Sequence, residues 1–155
     1  MESTALIDQF LDSPKLLRNA IAGMSQEELT ARPIPGKWST LEVICHLTDF
    51  EIVGAHRIKL MIAENEPTLF GYDEKAFAAR LAYDQRDAEE ELLLIELVRK
   101  HVARILRTLK PEDFQRRGFH SEDGIVTLEE LVQRRIAHIH HHVPFIDEKR
   151  KALAR

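Results

Sequence analysis

The chain has 155 residues, enough for one domain and short of two. With 44% hydrophobic and 31% charged residues it is neither a disordered tail nor a membrane-embedded chain, and a net charge of -4 gives no electrostatic footprint for nucleic acid or anionic lipid. One cysteine, Cys45, excludes an internal disulfide and an all-cysteine metal cage, whereas eight histidines point any metal toward nitrogen ligands.

Met1 to Leu11 carries Glu2 and Asp8 and no basic residue, unlike a signal peptide, and the longest run free of charged side chains, Ile136 to Ile146, is too short to span a bilayer. The expectation is a single cytoplasmic domain over residues 1–155. In chain order, Leu6, Phe10, Leu17, Ile21 and Met24 form the stripe of a first helix, which Ser13-Pro14 either kinks or splits. Ser25 with Glu28, Ser39 with Glu42 and Thr127 with Glu130 each fit the S/T-x-x-E capping box and mark helix starts.

The same signals predict a second helix from Ser39 to near Ala63, a third from Asp87 to near Leu109 and a fourth from Thr127 to near Ala152. No segment reads as a strand. Four helices with apolar stripes predict an all-α four-helix bundle, and the stretch from Glu64 to Arg86 is too long for an ordinary antiparallel turn. It is expected to be a crossover or lid with a short helix over Asp73 to Leu81.

Four histidines, His138, His140, His141 and His142, crowd into the fourth helix. On a helical wheel His142 falls about 50° and His138 about 90° from the centre of the apolar stripe, while His140 and His141 fall at about 110° and 150°. His138 and His142, at i and i+4, can therefore direct two imidazoles at one ion, and His140 and His141 face solvent. A third ligand must come from a neighbouring helix, and spacing leaves His46 and His101 both open. His56 and His120 are tied to the pair by no spacing rule.

Asp49, three residues after His46, is placed to orient its imidazole or relay a proton. Glu51 falls on the apolar face of the second helix and Arg135 on that of the fourth, which predicts a buried Glu51–Arg135 pair; otherwise Glu51 is a base and Arg135 an anion contact for substrate. Trp38 is expected to pack at the bundle mouth and Cys45 to be an inert core thiol. The Lys149 to Lys151 run is a basic helix C-terminus suited to the macrodipole. Ile52, Leu60 and Ile62 broaden the apolar surface of the second helix and suggest a homodimer.

The run from Pro33 to Glu51, with Trp38-Ser39 leading into His46-Leu47-Thr48-Asp49-Phe50-Glu51, resembles the second-helix entry of DinB-like (DinB/YfiT) proteins. Gly124 to Val143, with its H-x-x-x-H, resembles the last bundle helix of that family. The resemblance implies up-down-down-up connectivity with a long crossover between helices 2 and 3, and His46, His138 and His142 as ligands of a divalent metal, zinc or nickel. It also implies a metal-dependent hydrolase, or a transferase using a low-molecular-weight thiol cosubstrate such as bacillithiol or mycothiol, acting on a small molecule. The alternative is a non-catalytic bundle with a stress-response or protein-interaction role.

Overall fold

The computed structural model describes residues 2–154; Met1 and Arg155, the ends of the expected domain, lie outside the described residues. Helix α1 (Ser3–Asp12) and α2 (Pro14–Ala20) together form the first bundle helix, split at Pro14. Ser25 caps the short α3 (Gln26–Thr30) and Ser39 caps α4 (Thr40–Ala63), each as a full capping box in which hydroxyl and carboxylate take one backbone N–H apiece. After β1 (Thr68–Leu69), Asp73 caps α5 (Glu74–Arg80) by accepting from the amides of Lys75 and Ala76, so the short helix expected in the crossover forms. Asp87 caps α6 (Ala88–Leu106), and a third capping box at Thr127 starts α7 (Leu128–Leu153).

The bundle helices run up-down-down-up. Going along α4 from His46 to Phe50, the partners on α7 run backward from His138 to Arg135, so those two helices are antiparallel. Asp49 and Glu51 of α4 meet Arg86 and Arg99, at the foot and middle of α6, in the same order along both helices, so α4 and α6 are parallel. The first helix runs antiparallel to α6, with Arg18 on Glu89 and Glu96 while Asp8 reaches Arg107. Two parallel neighbours cannot be joined by a tight turn, which accounts for the long crossover.

Strands do form, contrary to the sequence expectation. The strands β2 (Arg117–His120) and β3 (Gly124–Thr127) pair antiparallel, and β1 adds in parallel to β2, giving the order β1-β2-β3. At two to four residues each they are shorter than the alternation that makes a strand visible in a sequence. The sheet fastens the crossover to the start of α7 through the amides of Phe119 and Ser121, which donate to the carbonyls of Pro67 and Leu69.

The buried Glu51–Arg135 pair does not form. Glu51 pairs instead with Arg99, whose Nε and Nη2 donate to the two carboxylate oxygens at 2.9 Å each. On the third helix the sequence also reads as a stripe through Leu94, Val98 and Ile105 beside His101, but the buried face is rotated from it and consists of Leu92, Ile95, Arg99, Val102 and Leu106. Leu92 to Ile95 is apolar on every side and cannot orient a wheel, and an arginine counts as solvent-facing until its partner is known. Arg99 is fully buried on α6 and touches the other three bundle helices: Glu51 on α4, the carbonyl of Phe10 (2.7 Å) and Ser13 Oγ on the first helix, and the carbonyl of Arg135 (2.7 Å) on α7. Pro14 has no N–H to give Phe10, so the guanidinium, with Ser13 Oγ at 3.3 Å, supplies the missing donor.

Of the residues expected to widen the apolar surface, Ile52 is 45% exposed, while Leu60 and Ile62 pack against the core. Among the described residues no helix is long and apolar enough to cross a membrane.

Candidate metal centre

His46 sits two turns into α4, where antiparallel packing brings it level with His138 and His142 of α7. Its Nε2 lies 3.0 Å from Nε2 of His138, which lies 3.1 Å from Nε2 of His142. His46 is buried and the other two are half-buried. A neutral imidazole nitrogen carries either one proton or one lone pair, so His138 Nε2 can satisfy only one of its two close contacts by hydrogen bonding. A shared cation satisfies all three nitrogens, and two nitrogens each about 2.1 Å from one ion and about 3 Å apart subtend roughly a right angle, an ordinary coordination angle.

Burial keeps these rings neutral. Desolvation is the largest influence on each: it lowers His46, and with neighbouring imidazole charge it lowers His142 to about 4 and His138 to about 2. All three lone pairs are thus free for a metal at neutral pH, and the ligand set of three imidazoles suits zinc or nickel with coordination positions left open.

His140 and His141 are exposed, as the wheel indicated, and His56 is exposed too. His101, which the sequence left open as a third ligand, is also exposed and is not among the three histidines that converge. His120 is buried in β2, where its Nδ1 accepts from the amides of Glu122 and Asp123.

The expected Asp49–His46 contact is absent. Asp49 accepts from Arg86 at 3.0 and 3.2 Å, because the guanidinium at the foot of α6 offers it two charge-assisted bonds. Nδ1 of His46 and of His138 finds no partner among the described residues. Ring contacts hold the imidazoles instead: Trp38 packs on His46 with centroids 5.2 Å apart, and Phe50 packs on His138 at 3.7 Å. The guanidinium of Arg135 lies 3.6 Å over the other side of Phe50 and donates to its carbonyl, so Arg135, Phe50 and His138 form one stack. Gly54 makes this possible, since a Cβ there would fall 1.8 Å from Arg135 Nη1.

A cavity of about 350 Å³ opens at His142, walled by Trp38, Ile34, Val43 and Phe145, with Lys37 and Lys149 beside it. Trp38 therefore lines the mouth as well as packing there. Lys149 belongs to the run read as a basic helix C-terminus; it is 4% exposed and donates to the carbonyl of Phe145. Glu74, in the first turn of α5, was passed over in the sequence: after burial its carboxylate is the larger of two negative influences on His46, ahead of Asp49. Its only sequence signal was its place after an Asp cap in the crossover.

Fold and site together define a four-helix bundle built around a three-histidine pocket open at one end. A sequence profile of the DinB superfamily matches residues 9–146, and the chain belongs to that superfamily. A protein of Oceanobacillus iheyensis named "Putative metal-dependent hydrolase" is 33% identical over 140 residues, covering 90% of this chain and 81% of the relative. YfiT of Bacillus subtilis, which bears the same functional name, is 30% identical over 136 residues, covering 87% and 76%. The solved structure of YfiT, described as a probable metal-dependent hydrolase with an unusual four-helix bundle topology, superposes with a TM-score of 0.89 at 27% identity, covering 98% of this chain and 87% of that one.

Proposed function

We propose that this protein is a metal-dependent hydrolase of a small-molecule substrate, with His46, His138 and His142 as ligands of a zinc or nickel ion. The observation that carries this reading is the convergence of three neutral Nε2 atoms that hydrogen bonding alone cannot satisfy. Such an ion, when bound, supplies Lewis acidity and lowers the pKa of a coordinated water toward neutrality. The apolar body of the substrate lies against Trp38 and Phe145 in the cavity beside His142.

The proton acceptor is Glu74. Glu51 is closed off by Arg99, and both oxygens of Asp49 are held by Arg86. Glu74 is exposed, has no ion-pair partner among the described residues, and stands on the lid-like α5.

Metal content of untagged protein tests the first half: about one zinc or nickel per chain is expected, with loss in His138→Ala. No metal retained after incubation with either ion refutes it. Assays of esters and amides beside thiol conjugates test the second half. Ester or amide hydrolysis reduced about 10²- to 10⁴-fold by Glu74→Gln is expected for a general base, whereas turnover of thiol conjugates alone replaces hydrolysis with thiol transfer.

A further inference from the structure

A second cavity, of about 140 Å³, lies across Phe50 from the histidines. Three arginines line it: Arg134, which is ion-paired with Asp123, and two buried ones, Arg57 at 6% and Arg135 at 2% exposure, neither of which has a carboxylate within ion-pair distance among the described residues. Among the described residues each of these two gives one hydrogen bond, to the carbonyls of Phe70 and Phe50 respectively, out of the five N–H donors a guanidinium carries. The hydroxyl of Tyr72, on the same wall, is buried without a partner among the described residues.

Two like charges buried beside one another without a counter-ion are costly to a fold. The nearby acids do not answer them. Asp123 is taken by Arg134 at 2.7 Å, and Glu74 and Glu122 stand exposed at the rim. The Phe50 ring compensates one side of Arg135 only. An anion with oxygens to meet several N–H donors and one O–H at once would answer them, and the volume admits an acid group and little more.

We infer that Arg57, Arg135 and Tyr72 form an oxyanion subsite that receives a carboxylate or phosphate group of the substrate. Arginine forks match both groups geometrically. The subsite stands on its own residues, while its link to the substrate rests on the histidines being the reaction centre. Phe50 is the shared wall, touching Arg135 on one face and His138 on the other, and Glu74 both lines this cavity and acts on His46.

Calorimetric titration of the full chain with inorganic phosphate, and separately with acetate, tests this. Saturable binding of at least one of the two is expected, and which binds tells phosphate from carboxylate. Arg57→Gln should weaken it about tenfold or more, as expected for a lost charged hydrogen bond. Tyr72→Phe, which removes one oxygen and preserves the ring, should weaken it several-fold, and Glu122→Gln should tighten it. In His138→Ala binding should persist. No binding by the wild type overturns the proposal, as does binding that survives Arg57→Gln and Tyr72→Phe but disappears in His138→Ala, because the anion then sits on the metal. Anion binding by a protein that takes up no metal keeps the subsite and removes the reaction centre, so the two failures are told apart.

Discussion

Replacing Arg99 with leucine should destabilise the fold by an amount comparable to its whole stability. The substitution leaves the Glu51 carboxylate, 3% exposed, without a cation; breaking a buried pair from one side costs about 3–5 kcal/mol. It also takes the stronger donor from the Phe10 carbonyl, which Pro14 cannot serve and which keeps only Ser13 Oγ at 3.3 Å, for about 1 kcal/mol more. The total, about 4–6 kcal/mol, compares with a typical domain stability of about 5–15 kcal/mol. The Glu51→Leu/Arg99→Leu double variant removes both charges and retains only the weakened carbonyl contact, so it should recover several kcal/mol relative to Arg99→Leu. Urea denaturation followed by circular dichroism, on metal-free wild type, Arg99→Leu, Glu51→Leu and the double variant at pH 7, measures all four free energies. A loss below about 1 kcal/mol for Arg99→Leu, or single-variant losses that simply add in the double variant, would refute the assignment of Arg99 as the tie between the four helices.

Stability of the metal-free protein should depend on pH through the ligand histidines. Burial depresses His142 to about 4 and His138 to about 2, below the unfolded value near 6.5, so the unfolded chain binds protons first as pH falls. Their contribution is complete above pH 6.5 and is lost progressively below it, and the melting temperature should fall between pH 6.5 and 4; a flat profile there that is unchanged in His142→Gln would contradict the burial argument. Cys45 is buried, and desolvation pushes its thiol up to about 12. It should resist iodoacetamide in the native protein at pH 8 and react fully in denaturant, so rapid native labelling would show the core open at that point.

The capping boxes made the helix starts legible, because a cap is a local bargain between one hydroxyl, one carboxylate and two amides that survives any tertiary arrangement. The inward pair His138 and His142 was legible for the same reason, since i and i+4 on one helix fix each other. The third histidine was not: His46 and His101 looked alike on their own wheels, and only the packing of α4 against α7 makes one of them a neighbour, a choice that the family resemblance supplied. The sheet was lost to its short strands. Arg99 was lost because its burial depends on partners from three other helices, none of which is near it in sequence.

The three buried arginines of this bundle divide by how they use their donors. Arg99 gives hydrogen bonds to Glu51, Phe10, Ser13 and Arg135, and nothing remains on it for a ligand. Arg57 and Arg135 are buried nearly as deeply, yet among the described residues each commits one hydrogen bond to the protein. Structural need explains the first arrangement and not the second, because a fold that required only packing at those positions would be more stable with apolar side chains there. Gly54 sharpens the point: the chain omits a side chain inside α4, at a helix-propensity cost of about 1 kcal/mol relative to alanine, and the space so made is filled by the guanidinium of Arg135. The glycine lets a cation sit beside the ring that touches His138, which is the placement the proposed anion subsite requires.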